Sequence, residues 1–144
     1  MKIRTDYVTN SSSSSYVIAY RNLPELDEET TNKYPFLRNY GNIIEKVLFT
    51  DGDNETTAGE VYRTKEEWDS HFIDYYGWKD MDTIEKILAD DPDLTDEYKK
   101  VIEYLQNGFK ILDKRVDYCD SYCVNIIHEL ANDKENFVIL EECY

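Results

Sequence analysis

The chain has 144 residues, a common size for one domain, and its content of 41% hydrophobic and 14% aromatic residues is sufficient for one buried core. It carries 16 basic and 31 acidic residues, which gives a net charge of −15. A surface of this sign repels the phosphates of nucleic acids and of anionic membranes, so we expect no direct binding to either. A basic protein is the partner that such a charge attracts.

The sequence predicts a cytoplasmic protein. No apolar run reaches the roughly 18 residues of a membrane span. The N-terminus lacks the apolar stretch of a secretory signal. The three cysteines, Cys119, Cys123 and Cys143, are odd in number and do not form a disulfide framework, which favours reduced thiols.

The first predicted element is a buried strand over residues 15–20, where β-branched and aromatic side chains follow one another without a break. A run of five serines, residues 11–15, precedes it. We favour a flexible connection for that run over a modified or anion-binding one. Residues 1–15 are therefore predicted to be a flexible N-terminal segment.

The next part of the chain predicts a short helix and then a β-hairpin. The helix is expected within residues 25–34, before Pro35 interrupts it. Residues 43–50 predict a second strand, followed by strong turn residues at 51–54. Residues 55–63 are expected to return as the other arm of the hairpin.

Two helices follow the predicted hairpin. Thr64 and Glu67 have the spacing of a capping box, and Gly77 is typical of a helix end. Apolar residues between them fall on one helical face. Residues 83–89 predict a second, shorter helix.

The last third alternates helices and strands. A helix capped by Thr95 is expected to end before Gly108, because its apolar residues recur at helical spacing. Residues 109–116 predict a strand, and a helix is expected to begin at residue 120 or 121. Residues 137–140 form a continuous apolar run that predicts an interior strand. Together these elements predict a single α+β domain over residues 1–144, with helices packed on a mixed or antiparallel sheet.

The residue patterns of common enzymes and metal proteins are absent, so we predict no catalytic site, no metal and no cofactor. The glycines are too widely spaced for a phosphate-binding loop; they are residues 41, 52, 59, 77 and 108. The loop that begins at Asp51 fails as a calcium loop, because its sixth and twelfth residues are Thr56 and Tyr62. His128-Glu129 lacks the second histidine of a zinc-protease helix.

Two histidine neighbourhoods were weighed as sites. His71 shares a helical face with apolar residues, and a half-buried, hydrogen-bonded role is favoured over a metal site shared with Asp74. Cys123 and His128 are five residues apart, so a helix would hold them on different faces. For Cys119, a buried structural role is favoured over that of a nucleophile.

The candidate site is an acidic surface between residues 80 and 97. Carboxylates one helical turn apart lie about 5–6 Å from each other, comparable to successive phosphates, and can occupy a basic groove built for nucleic acid. The alternative is a solvated face that keeps the protein soluble. The predicted partner-binding residues are Asp80, Asp82, Glu85, Asp90, Asp91, Asp93, Asp96 and Glu97.

The N-terminus resembles the opening of a group of bacterial and phage proteins. The sequence MKIRTDYVTN is followed by five serines and Tyr16, and in that group a basic MKIR start leads through a Thr-Asn-Ser-rich block to an aromatic strand residue. The resemblance covers about the first 20 residues and implies a bacterial or phage origin. In charge and size the chain is also similar to phage-encoded inhibitors of bacterial defence, such as anti-CRISPR proteins.

The function predicted from the sequence is an acidic inhibitor that occupies a basic partner, either a nuclease or another DNA- or RNA-binding protein. The cell compartment expected for it is the bacterial cytoplasm, or the host cytoplasm for a phage protein. Two alternatives stay open. One is a small hydrolase built on Cys119 or on Asp/His pairs, which requires a concave site with a perturbed titratable group. The other is a structural or regulatory module whose tyrosines form an apolar contact.

Overall fold

The computed structural model describes residues 13–23, 28–33, 35, 43–52, 54–77 and 83–143. Within them the chain forms four strands and six α-helices. The strands are β1 (Ser13–Tyr20), β2 (Glu60–Tyr62), β3 (Lys110–Asp117) and β4 (Phe137–Cys143). The helices are α1 (Glu28–Lys33), α2 (Ile43–Phe49), α3 (Lys65–Tyr76), α4 (Ile84–Asp90), α5 (Leu94–Gln106) and α6 (Ser121–Leu130).

The four strands form one antiparallel sheet in the order β2-β3-β1-β4. β1 lies between β3 and β4, and its register with β4 shifts between Val17 and Ile18, as at a β-bulge. This confirms the prediction of an α+β fold with helices packed on a sheet. None of the helices in the described ranges is long and apolar enough to cross a membrane.

The alternating side chains of β1 enter two cores on opposite faces of the sheet. Tyr16, Ile18 and Tyr20 pack with α2 and α6, whereas Val17 and Ala19 pack with α3, α4 and α5. All five side chains are at most 6% exposed. Burying a large apolar side chain contributes about 1.5–3 kcal/mol to stability. Because β1 supplies buried side chains to both cores, the helices on both faces of the sheet depend on it.

The predicted hairpin is wrong, because residues 43–49 form α2 instead of a strand. Ile44 and Leu48 are buried one helical turn apart, and Val47 packs beside them. Glu45 and Lys46 are exposed between them. This i, i+3, i+4 pattern is helical, but a short apolar run can be mistaken for a strand. The predicted returning arm is reduced to β2, which pairs with β3.

The loop between α2 and β2 is held by a buried lysine on β3. The side chain of Lys114 is 1% exposed, and its Nζ donates to the backbone carbonyls of Thr50, at 3.2 Å, and Thr57. Burial lowers the pKa of Lys114, an effect that nearby acidic groups oppose. The ammonium group thus serves as a structural donor that connects the two ends of the loop to β3.

A second buried contact fixes the same loop to the end of β3. Thr56 Oγ1 accepts a hydrogen bond from the backbone N–H of Asp117 at 2.7 Å and donates to Asp120 Oδ2 at 2.5 Å. Gly52 lies so close that a Cβ atom there would be 2.6 Å from Asp120 Oδ2. Gly52, one of the turn residues predicted at 51–54, therefore packs closely against Asp120.

Most predicted helix ends are confirmed. Thr64 caps α3 as predicted, accepting from the backbone N–H of Glu67 at 3.1 Å. Thr83, which was predicted to be the first residue of the next helix, caps α4 in the same way. Gly108 follows α5 with φ of +86°, as expected for a glycine after a helix. The prediction for Thr95 is wrong, because α5 begins at Leu94 and Asp93 occupies the cap position.

Two predictions about the sheet also need correction. β1 begins at Ser13, and Ser13 and Ser15 are buried, so the last three serines belong to the sheet and not to a flexible segment. Residues 1–12 lie outside the described part of the chain. Phe137–Cys143 is an edge strand and not an interior one, because β4 is the last strand of the sheet that the described residues form. Phe137 and Ile139 pack in the core on one face of the sheet and Leu140 in the core on the other, and Phe137 alone of these is fully buried.

Candidate functional site

Six of the eight predicted carboxylates lie on or between α4 and α5. Asp80 and Asp82 lie outside the described residues. Four of the six are exposed, and Asp91 and Glu97 are half-buried. The six are Glu85, Asp90, Asp91, Asp93, Asp96 and Glu97.

The structure gives several of these carboxylates a local role. Glu85 lies in the first turn of α4, and Asp96 and Glu97 lie in the first turn of α5. Negative charge at a helix N-terminus stabilises the helix by about 0.3–1 kcal/mol. Asp96 and Glu97 also line a small cavity of about 240 Å³ together with Lys100.

A larger acidic cavity, which the sequence did not predict, lies between α3 and the β2–β3 edge of the sheet. We call it the α3 groove; its volume is about 770 Å³. Glu60 of β2 and Asp113 of β3 are paired across the sheet, and α3 supplies the opposite wall. The residues that line it are Glu60, Val61, Tyr62, Glu66, Glu67, Ser70, His71, Asp74 and Asp113.

The aromatic rings that line the α3 groove are those of Tyr62 and His71. The hydroxyl of Tyr62 is 2.9 Å from His71 Nδ1, and the two rings lie 4.7 Å apart between centroids. Trp68 packs 5.0 Å from the same imidazole, measured between ring centroids. His71 is half-buried and hydrogen-bonded, as predicted, and its side chain is 23% exposed.

Asp113 lies beside His71 in the lining of the α3 groove. Its Oδ2 lies 3.5 Å from His71 Nε2, longer than an ordinary hydrogen bond but within reach of an ion pair when the imidazole is protonated. A carboxylate and a hydroxyl thus lie at the two nitrogens of one imidazole, and the hydroxyl is the one at hydrogen-bond distance. The hydroxyl here belongs to Tyr62, whose ring is packed edge-on against Trp68 at 5.2 Å between centroids.

The α3 groove is suited to an organic cation. Five of its lining residues are carboxylates, and none of the described lining residues is lysine or arginine. Carboxylates form charge-assisted hydrogen bonds with ammonium and guanidinium groups, and aromatic faces attract the same cations. Among the described residues, no group of three or more His, Cys, Asp or Glu side chains is arranged to hold a metal ion.

The cysteines and the second histidine do not meet in a common site. Cys123 is 1% exposed and its Sγ lies 3.8 Å from the carbonyl of Val47, whereas Cys119 is exposed, which corrects the prediction that it is buried. Burial raises the pKa of Cys123 to about 11. His128 Nε2 is 2.6 Å from Glu142 Oε2, on β4.

No protein-family model, no curated protein and no solved structure matched the chain. The resemblance of the N-terminus to bacterial and phage proteins therefore stays an expectation from the sequence. Most residues of the α3 groove come from β2 and α3, which are neighbours in the chain, but Asp113 comes from the distant strand β3. The groove was missed because only the pairing of β2 with β3 brings Asp113 to the others. The one signal available was the set of acidic residues around His71, on a helix whose apolar face was recognised.

Proposed function

We propose that the protein is an inhibitory binding protein that takes a basic surface of a protein partner into the α3 groove. The lining of the groove carries the proposal, because five carboxylates line it together with the rings of Tyr62 and His71, and no described lining residue is lysine or arginine. A lysine or arginine of the partner would meet carboxylates at the rim and the rings of Tyr62 and His71 below.

The partner class that we propose is a nuclease or another protein that handles nucleic acid. Such proteins bind phosphates through clustered lysine and arginine side chains, and that surface has the charge that the α3 groove complements. Occupation of the surface excludes the nucleic acid, which makes inhibition the direct consequence. The three free cysteines support a reducing compartment, and we propose the cytoplasm of a bacterium or of a phage-infected cell.

The exposed carboxylates of α4 and α5 have a longer-range role in this proposal. Glu85, Asp90, Asp93 and Asp96 lie on the same side of the sheet as α3 through the packing of their helices. Exposed charges act over about 8–10 Å at physiological salt and mainly increase the association rate. We therefore assign them to attraction of the partner, and the α3 groove to its retention.

A capture experiment with charge-reversed variants tests the proposal. The tagged protein is incubated with bacterial lysate, bound proteins are released by stepwise salt and identified by mass spectrometry, and the affinity of the released basic protein is measured. The groove variant is Glu66→Lys with Asp74→Lys, both exposed in the structure. Its matched control, Glu85→Lys with Asp90→Lys, changes the net charge equally on α4.

We expect the groove variant to bind the partner at least tenfold more weakly than the unchanged protein. We expect the α4 variant to associate more slowly and to lose less affinity than the groove variant. Unfolding midpoints close to that of the unchanged protein establish that both variants are folded. Equal binding by the groove variant and the unchanged protein would contradict the proposal. A loss confined to the α4 variant would place the site on the carboxylates that the sequence predicted.

A further inference from the structure

A second cavity, lined by basic residues, lies at one end of the sheet, where β1 and β2 finish and β3 begins. β1 runs antiparallel to β3 and β3 runs antiparallel to β2, so the end of β1, the start of β3 and the end of β2 are neighbours. Arg21 follows β1, Arg63 follows β2 and Lys110 begins β3. The topology therefore brings together three cations that are distant in the sequence.

These three side chains line a cavity of about 610 Å³, which we call the basic pocket. Glu45 is the one carboxylate among its described lining residues. In a chain with 31 acidic and 16 basic residues, the charged residues that line an arbitrary cavity would be mainly carboxylates. An excess of cations here indicates a site for an anion.

Arg21 is fixed in position before any ligand arrives. Its Nε donates to the backbone carbonyl of Glu135 at 2.9 Å, and its guanidinium carbon lies 4.4 Å from the centre of the Phe109 ring. The remaining guanidinium N–H groups are thus presented by a side chain that has already lost much of its rotational freedom. Preorganisation of this kind lowers the entropic cost of binding.

Arg63 and Glu45 both lie close enough to Tyr20 to affect the pKa of its hydroxyl. Burial raises the pKa of the Tyr20 hydroxyl, the positive charge of Arg63 opposes that rise, and Glu45 adds to it. The Tyr20 ring packs 5.6 Å from that of Phe49, measured between centroids. Phe49 and Val61 supply an apolar wall next to the charged groups.

We infer that the basic pocket binds a small organic phosphate with a flat or apolar body, of the nucleotide class. Arginine and lysine side chains recognise phosphate oxygens, and the volume is in the range of cavities that hold small molecules. Phe49 and Val61 would contact the body of the ligand, and Glu45 would accept from its N–H or O–H groups. The inference does not rest on the α3 groove: the two cavities share Val61, but the cations of the basic pocket do not line the groove, and Tyr20 and Phe49 belong to the core on the other face of the sheet.

Calorimetric titration of the full chain tests the inference, with ADP, adenosine and inorganic phosphate as three separate probes. The pocket variants are Arg63→Gln and Lys110→Gln, which alter exposed side chains and keep their polar character. The matched control is Lys99→Gln, an exposed lysine on α5 away from the pocket. The groove variant with Glu66→Lys and Asp74→Lys is titrated as well, so that this inference and the proposed function can fail separately.

We expect ADP to bind more tightly than either fragment, each pocket variant to weaken it by at least tenfold, and the Lys99→Gln and groove variants to bind it normally. Absence of ADP binding by the unchanged protein overturns the inference. Binding of phosphate or adenosine as tight as that of ADP overturns the assigned ligand class. An equal loss of ADP affinity in Lys99→Gln would mean that overall charge causes the effect, and it would overturn the assigned site.

Discussion

At the scale of single residues, Thr56 shows how one hydroxyl can link two distant parts of the chain. It is 6% exposed and bridges the backbone of Asp117 and the carboxylate of Asp120. Both partners are themselves at most 3% exposed. A buried donor or acceptor that loses its partner costs about 1–3 kcal/mol, and more when the group is charged.

We therefore expect Thr56→Val to lower the free energy of unfolding by about 2–4 kcal/mol, since valine keeps the shape and removes both hydrogen bonds. Chemical denaturation followed by circular dichroism measures the loss. Thr57→Val is the matched control, because the hydroxyl of Thr57 is exposed and accepts one hydrogen bond, from Arg115 N at 3.1 Å. A loss no greater in Thr56→Val than in Thr57→Val would show that the bridge is dispensable.

The cysteines allow a second prediction at the same scale. The thiolate is the reactive form of cysteine. A buried thiol with a raised pKa therefore reacts slowly for two reasons: the reagent does not reach it, and it stays protonated at neutral pH. We expect an alkylating reagent at neutral pH to modify exposed Cys119 first and to leave Cys123 unmodified in the folded protein. Peptide mass spectrometry over time measures the rates. In denaturant the two should react alike, and rapid labelling of Cys123 without denaturant would contradict its burial.

At the scale of elements, the sequence predicted a helix best where a capping residue and a regular apolar face indicated the same helix. α3 combines the Thr64 cap with buried Trp68 and Phe72, and both features were readable from local spacing. α2 was missed because seven residues contain too few turns for the period to separate helix from strand. The edge position of β4 depends on strand order, which no local pattern contains.

The candidate sites were less predictable for a related reason. The acidic residues of α4 and α5 are contiguous in sequence and were found. In the α3 groove Glu60 meets Asp113, and in the basic pocket Arg21 meets Lys110, through pairing between distant strands. Only the register of the sheet brings such side chains together, and a single sequence does not specify it.

The cap of α3 can be tested against a threonine that was wrongly predicted to be a cap. We expect Thr64→Ala to lower the free energy of unfolding by about 1 kcal/mol, because its hydroxyl accepts from the N–H of Glu67. Thr95→Ala should be close to neutral, since Thr95 lies inside α5, where alanine is the better helix former. Denaturation curves of the two variants give the comparison. Equal losses would mean that capping does not distinguish the two positions.

At the scale of the whole molecule, the distribution of charge matters more than its sum. The protein has an acidic groove and a basic pocket, which share Val61 in their lining, within a net charge of −15. Folding brings the acidic side chains closer together than they are in the unfolded chain. Self-repulsion therefore opposes the compact state, and dissolved salt reduces that repulsion.

We expect the melting temperature to rise by a few degrees between about 0.01 M and 0.15 M NaCl, as the screening length falls from about 30 Å to about 8 Å. Thermal unfolding followed by circular dichroism measures the shift. The Glu66→Lys, Asp74→Lys variant carries less negative charge and should show a smaller shift. A melting temperature that falls with added NaCl would mean that attractive charge pairs outweigh the repulsion.

The central position of β1 also determines when the sheet can form during synthesis. β1 pairs Tyr20 with Lys110 and Ser13 with Asp117, so its first partner is made at least 90 residues later. At roughly 5–20 residues per second, that interval lasts about 5–20 s. A nascent chain therefore carries an apolar strand without its neighbours for seconds, and ribosome-bound chains that stop short of β3 should have no sheet. Chaperones that hold extended apolar segments would act in this interval, well before either cavity exists.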